Sequence, residues 1–245
     1  MRESLLSVEG LTVSFDGFKA VDHLSFFVDQ NELRAVIGPN GAGKTTVLDL
    51  ISGRTRASSG SILFKGNELI GMREHEIVRA GVGRKFQTPS VYETLTVFEN
   101  LEMSYPRGRT AFGAWAFQRS SAVTEKVHEI AEQVKLRDRL EDCAELLSHG
   151  QKQWLEIGML LIQDPELMML DEPVAGMSVA EREQTAELLR SICKGRAVVV
   201  VEHDMDFVKS IADRVTVLHQ GKFLAEGRME VVQQDAKVIE VYLGH

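Results

Sequence analysis

Gly38-Pro39-Asn40-Gly41-Ala42-Gly43-Lys44-Thr45 has the spacing G-x-x-x-x-G-K-[ST], which suits it to hold a phosphate chain. Glycines let successive backbone N–H groups curl around an anion without Cβ clashes. A helix starting at the end of the turn adds its partial positive charge. Lys44 can reach the outer phosphates, and the Thr45 hydroxyl can ligate Mg²⁺. With the adjoining Thr46, these nine residues are the candidate nucleotide contacts of the turn. The motif carries weight only between a strand and a helix. Leu33 to Gly38 reads as a buried strand and Lys44 to Ser52 as a helix, so that context is met.

Leu167-Met168-Met169-Leu170-Asp171-Glu172 reads as a second buried strand, ending in two acids. A strand end directs such acids to the mouth of an α/β sheet, where ligands bind. Asp171 is placed to hold Mg²⁺, and Glu172 to orient and deprotonate an attacking water. Alone, the pair would read as a helix cap before Pro173; beside a phosphate loop the chemical reading prevails. Asn31, Asn40, Asn67 and Asn100 all fail the Asn-Lys-x-Asp pattern that would read guanine, and no Asp begins Asp-x-x-Gly, which argues against a GTPase.

Further along, Leu147-Ser148-His149-Gly150-Gln151 resembles the LSGGQ signature of ATP-binding-cassette (ABC) ATPases. His203 looks like their switch histidine, and Gln87, in Lys85-Phe86-Gln87-Thr88-Pro89, like their Q-loop glutamine. Ala175-Gly176-Met177-Ser178 resembles the D-loop, and Phe15 stands where the family places an aromatic on adenine. The set spans nearly the whole chain. The resemblance implies ATP and Mg²⁺ as ligands, with Glu172, His203 and Gln87 catalytic and with Thr45, Gln87 and Asp171 at the metal. It also implies that Ser148, Gly150 and Gln151 close over a nucleotide held by another subunit, so that two chains pack head to tail around two MgATP.

Bland readings stand beside these. His203-Asp204 would also suit a helix cap, Phe15 could be core, and Phe18 competes with it for adenine. Trp154 and Met168-Met169 read as core. His149, where the family most often has Gly, is a departure that could clash with a ligand or add a contact.

Short apolar strands alternate with helices, so the expected class is α/β: a P-loop NTPase with a RecA-like core, an antiparallel β edge subdomain and an inserted α-helical subdomain. Residues 1–87 and 164–245 are assigned to the core and 88–163 to the helical insert of a single domain. Ser7 to Phe15 and His23 to Val28 read as antiparallel edge strands. Val127, Ile130, Ala131 and Val134 make one helical stripe in the insert, and Trp154, Ile157 and Leu161 another. Tyr92, Leu95, Val97 and Phe98 are expected to receive a short helix of a membrane partner. Phe112, Trp115 and Phe117 lack the periodicity of a membrane anchor.

The chain has 245 residues and a net charge of −8 with no Lys/Arg block, which argues against nucleic acid as a partner. Cys143 and Cys193 have no CxxC spacing, which suits a reducing compartment. MRESLLSVEG has too short an apolar stretch for a signal peptide, and the run Ala197 to Val201 is too short to cross a bilayer. The short stretch after Val215 to His219 leads us to expect no appended regulatory domain.

The resemblance therefore implies the ATP-binding subunit of a bacterial importer, peripheral on the cytoplasmic face of the inner membrane. Its implied partners are a like or sister ATPase, transmembrane permease subunits and, indirectly, a solute-binding protein. DEPVAGM and the terminal VYLG are similar to the importer group for branched-chain amino acids, amides and urea. GRKFQTP and SHGQKQWLEIGMLL are most similar to the urea branch. A branched-chain amino acid importer is the alternative, and a non-transport mechanical ABC ATPase a remoter one.

Overall fold

The structure is a computed structural model that describes residues 4–85, 91–106 and 120–243. In chain order its strands are β1 (Leu6–Phe15), β2 (Phe18–Val28), β3 (Leu33–Ile37), β4 (Ser59–Phe64), β5 (Asn67–Glu68), β6 (Val82–Lys85), β7 (Leu167–Asp171), β8 (Ala197–Val201), β9 (Arg214–His219) and β10 (Lys222–Gly227). Its helices are α1 (Lys44–Ile51), α2 (Glu74–Ala80), α3 (Val97–Ser104), α4 (Ser121–Gln133), α5 (His149–Leu161), α6 (Val179–Cys193), α7 (Met205–Ile211), α8 (Met229–Val232) and α9 (Ala236–Leu243). Among the described residues no helix is long and apolar enough to cross a membrane.

The chain divides into two compact units. The first holds residues 1–84, 166–173 and 189–245. Its larger sheet runs β10-β9-β3-β8-β7-β6, and β9, β3, β8 and β7 are mutually parallel. Parallel strands buried on both faces read as continuous apolar runs, which is why LRAVI, LMMLD and AVVVV are buried at every position. Val36, Met169, Val199 and Val201 pack with residues of β1, β2, β4 and α1 in one core cluster. Ala35 and Ile37, on the opposite face of β3, pack with Val208, Val215, Val217, Met229 and Val232. The smaller sheet, β2-β1-β4-β5, is antiparallel throughout.

The second unit holds residues 85–165 together with 174–188, a segment that the sequence reading assigns to the core. Two side-chain bonds join this segment to α5 and its cap. The Trp154 indole donates to Thr185 Oγ1 at 2.9 Å, and the Ser148 hydroxyl donates to Glu181 Oε1 at 3.0 Å. Gly158 lets α5 approach its neighbours: a Cβ there would meet Leu101, Val134 and Ile130 side chains at 3.0–3.4 Å. Val97 and Phe98, expected to face a membrane partner, are instead buried within this unit, while Tyr92 is exposed. Trp154, Met168 and Met169 are core in their respective units. Phe112, Trp115 and Phe117 lie outside the described residues.

Candidate nucleotide site

The turn after β3 is a cradle that only glycine can form at two points. Gly38 has φ 157° and a Cβ there would stand 2.3 Å from the Leu218 carbonyl oxygen. Gly43, at φ 95°, precedes the first residue of α1, and a Cβ there would stand 2.4 Å from the Ala20 carbonyl oxygen. Lys44 Nζ donates to the Gly38 and Pro39 carbonyls at 2.8 and 3.1 Å, so the ammonium lies over the loop. Partial burial lowers its pKa, against the pull of Glu172 and Asp171.

The ends of three adjacent strands meet at one edge of the sheet: β3 leads into the phosphate turn, β8 into Glu202-His203, and β7 into Asp171-Glu172. Asp171 is buried and accepts a hydrogen bond from the Thr45 hydroxyl; desolvation nevertheless holds its carboxyl above the usual carboxylate range. Glu172 sits at φ 46°, in the left-handed region rarely taken by a non-glycine residue, and its N–H donates to Val201 O at 2.9 Å. No helix begins there; the next starts at Val179, so the cap reading of this acid pair falls. Asp204 caps α7 by accepting from the Phe207 N–H at 3.0 Å, which leaves His203 exposed with Nδ1 3.5 Å from Glu172 Oε1.

Mg²⁺ takes hard oxygen donors and completes its shell with phosphate and water. The bonded pair of Thr45 hydroxyl and Asp171 carboxylate supplies two such donors, so the residues present fit the ion. Gln87, expected to share that role, lies outside the described residues. Phe15 is 48% exposed and Phe18 66%, and they face each other across the β1–β2 turn. Neither is core, and both remain candidates for adenine.

In the second unit, Ser148 caps α5, accepting from Gln151 N–H at 3.2 Å while its own N–H donates to Gln151 Oε1 at 2.9 Å. This capping box engages the Gln151 side chain. Gly150 leaves room for Glu181, whose Oε1 would lie 2.4 Å from a Cβ at that position. His149 Nε2 stands 3.0 Å from the Ala175 carbonyl oxygen, so this side chain ties the signature turn to the D-loop segment.

Three participants carried no sequence signal strong enough to single them out. Arg84 is buried beside Asp49 and Asp171. Glu202 is buried and accepts from the His203 N–H at 2.9 Å. Glu181 links the starts of α5 and α6.

Comparison with known proteins gives consistent results. A family model described as "ABC transporter" matches residues 21–175, and one described as "Branched-chain amino acid ATP-binding cassette transporter" matches residues 224–245. The high-affinity branched-chain amino acid transport ATP-binding protein BraF of Pseudomonas aeruginosa is 35% identical over 100% of this chain and 99% of its own. The corresponding LivG protein of Escherichia coli is 34% identical over the same shares. A probable LivG of Archaeoglobus fulgidus is 34% identical over 98% of this chain and 95% of its own. Among solved structures, an ATP-binding cassette of an ABC transporter in its ADP conformation aligns with TM-score 0.88 at 30% identity, covering 99% of this chain and 100% of that one. A nucleotide-free cassette aligns with TM-score 0.85 at 29% identity, with the same coverage.

Proposed function

We propose that this chain, which belongs to the ABC transporter family and is an ATPase, is the energy-supplying subunit of an importer, working as one half of an ATP-closed pair. The observation that carries the reading is the meeting of Lys44 and Thr45, Asp171 and Glu172, and His203 at the ends of three adjacent strands.

The phosphate turn and Lys44 hold the β- and γ-phosphates. Thr45 and Asp171 would hold Mg²⁺, with Gln87 added as a ligand by the family resemblance; when bound, the ion would offset charge on the phosphate oxygens. Glu172 accepts a proton from water as the water oxygen bonds to the γ-phosphorus and the bond to the ADP oxygen breaks. His203 orients the Glu172 carboxylate and the γ-phosphate. Phe15 or Phe18 stacks on adenine. Ser148 and Gly150 of a second copy or sister ATPase present donors to the same γ-phosphate, so its loss opens the pair. That opening would be passed to permease subunits, with the chain held peripherally at the cytoplasmic face of the membrane.

For the solute, the names of the curated relatives and the C-terminal family match support a branched-chain amino acid better than any other. The narrower reading, urea or a short amide, is supported by the segments GRKFQTP and SHGQKQWLEIGMLL alone. Deleting the gene and measuring uptake of labelled leucine and labelled urea separates them. Loss of leucine uptake alone sustains the first reading, and loss of urea uptake alone the second. For the catalytic reading, the purified chain is assayed for Mg²⁺-dependent phosphate release, alone and with its permease. Release that is unaffected by Glu172→Gln would overturn it.

A further inference from the structure

Arg84 carries a buried cation beside the candidate site: its side chain is 5% exposed. A guanidinium in such a place is destabilising unless its donors are paired, and its planar fork suits it to bridge two elements. One arm bonds α1 and the turn after it. Nη1 donates to Asp49 Oδ1 at 2.7 Å and to Ser52 Oγ at 2.9 Å. The other arm faces β7, with Nη2 3.9 Å from Asp171 Oδ2. Thr45 lies in the first turn of α1 and is itself hydrogen-bonded to Asp171. The contacts therefore close a ring: Thr45, along α1 to Asp49 and Ser52, through Arg84 to Asp171, and back to Thr45.

We infer that Arg84 is a positioning residue that sets the spacing between the Thr45 hydroxyl and the Asp171 carboxylate, and so the affinity of the nucleotide site for Mg²⁺. This rests on the reading that those two oxygens hold the ion beside ATP. Two effects of Arg84 oppose each other. As a cation near Asp171 it repels a divalent ion, whereas as a fork it keeps α1 and the end of β7 in register. The bonds to Asp49 and Ser52 are short and the approach to Asp171 is long, which is the pattern of a brace more than of a counter-charge. Metal-free ATP senses the loop N–H groups and Lys44; only the metal senses the Thr45–Asp171 spacing.

The test is the affinity of the full-length chain for a fluorescent ATP derivative, measured with Mg²⁺ and with a chelator. Arg84→Lys keeps the charge and removes the fork, and Asp49→Asn keeps Arg84 and takes the charge from its anchor. Both should lose about tenfold of the advantage that Mg²⁺ confers, the size of one charge-assisted hydrogen bond, while metal-free affinity stays within about twofold. An unchanged Mg²⁺ advantage in both variants overturns the inference, as does an equal loss with and without the metal. A gain in Mg²⁺ affinity in Arg84→Gln, with Arg84→Lys like wild type, overturns it in favour of simple repulsion. If Arg84→Lys does not fold, Asp49→Asn decides alone. A wild-type chain without any Mg²⁺ advantage removes the reading of the site itself, which is a separate result.

Discussion

His203 Nδ1 stands 3.5 Å from Glu172 Oε1, joining the ends of the adjacent strands β8 and β7. Glu172 holds its side chain there from a left-handed backbone at φ 46°. A strained residue of this kind persists only where its surroundings over-determine it, and such residues cluster at reacting sites. Replacing Glu172 with Gln keeps the shape and removes the proton acceptor. Turnover should fall by about 10²-fold or more while ATP binding persists, and the variant should accumulate as a dimer with ATP. Steady-state phosphate release and size-exclusion chromatography check this; turnover near wild type removes Glu172 as the base.

Asp171 has the opposite relation to stability. Burial raises its pKa, with the Thr45 hydrogen bond and Arg84 opposing that effect only in part. An acid with a raised folded pKa keeps its proton longer in the folded chain than in the unfolded one. Stability relative to a neutral isostere therefore falls as pH rises from the ordinary carboxylate value through the raised one. Asp171→Asn should melt above the parent at neutral pH, and the gap should close below the ordinary carboxylate range. Its Mg²⁺-dependent hydrolysis should drop by about 10²-fold. Melting curves across pH read the first effect, and a lower Tm for the variant at pH 7 would contradict it.

Ser148 has two duties on the second unit, as N-cap of α5 and as donor to Glu181 Oε1. Ser148→Ala should lose about 1 kcal/mol of stability through the cap. Introduced with Glu172→Gln, it should also abolish the ATP-driven dimer. A double variant that still dimerises on ATP would refute the role assigned to this turn in pairing.

Gly43→Ala puts a Cβ 2.4 Å from a backbone oxygen of Ala20 at φ 95°. Backbone cannot swing aside as a flexible side chain can, so the phosphate turn must open. Nucleotide affinity should fall by about 10²-fold, equivalent to roughly 2–3 kcal/mol of misplaced loop donors. Calorimetric titration with ATP measures it, and wild-type affinity would show that the turn is softer than its packing indicates.

Trp154→Phe removes the indole donor to the buried Thr185 hydroxyl, which keeps its own bond to the Glu181 carbonyl at 2.8 Å. The variant should lose about 1 kcal/mol, the ordinary net value of one hydrogen bond. Denaturant titration tests this, and no loss would mean that the indole bond adds nothing to the hold on the 174–188 segment.

The parts of the fold legible in the sequence are those governed by local rules. Glycines that must take positive φ and runs dominated by apolar residues each identify a turn or a buried strand by themselves. The parts that were not legible depend on residues far apart in the chain. Val97 and Phe98 look like an exposed docking stripe until α3 packs inside its unit. Val174–Leu188 looks like core chain until Thr185 meets Trp154 and Glu181 meets Ser148. Glu202 resembles an ordinary acid beside a histidine, and only its burial shows that it organises the turn through the His203 N–H.

What the sequence determined alone was which chemical groups are present, and on what kind of element each one sits. Spacing along a strand, a turn or a helix is a covalent matter and survives without any tertiary contact. Only the folded chain decided that Arg84 reaches Asp49, that Thr45 bonds Asp171, and that Glu181 occupies the space left by Gly150. Those pairings join strands and helices across long stretches of sequence. They follow from how the apolar faces pack, and burial then leaves each charged group only the partners that the packing brings within reach.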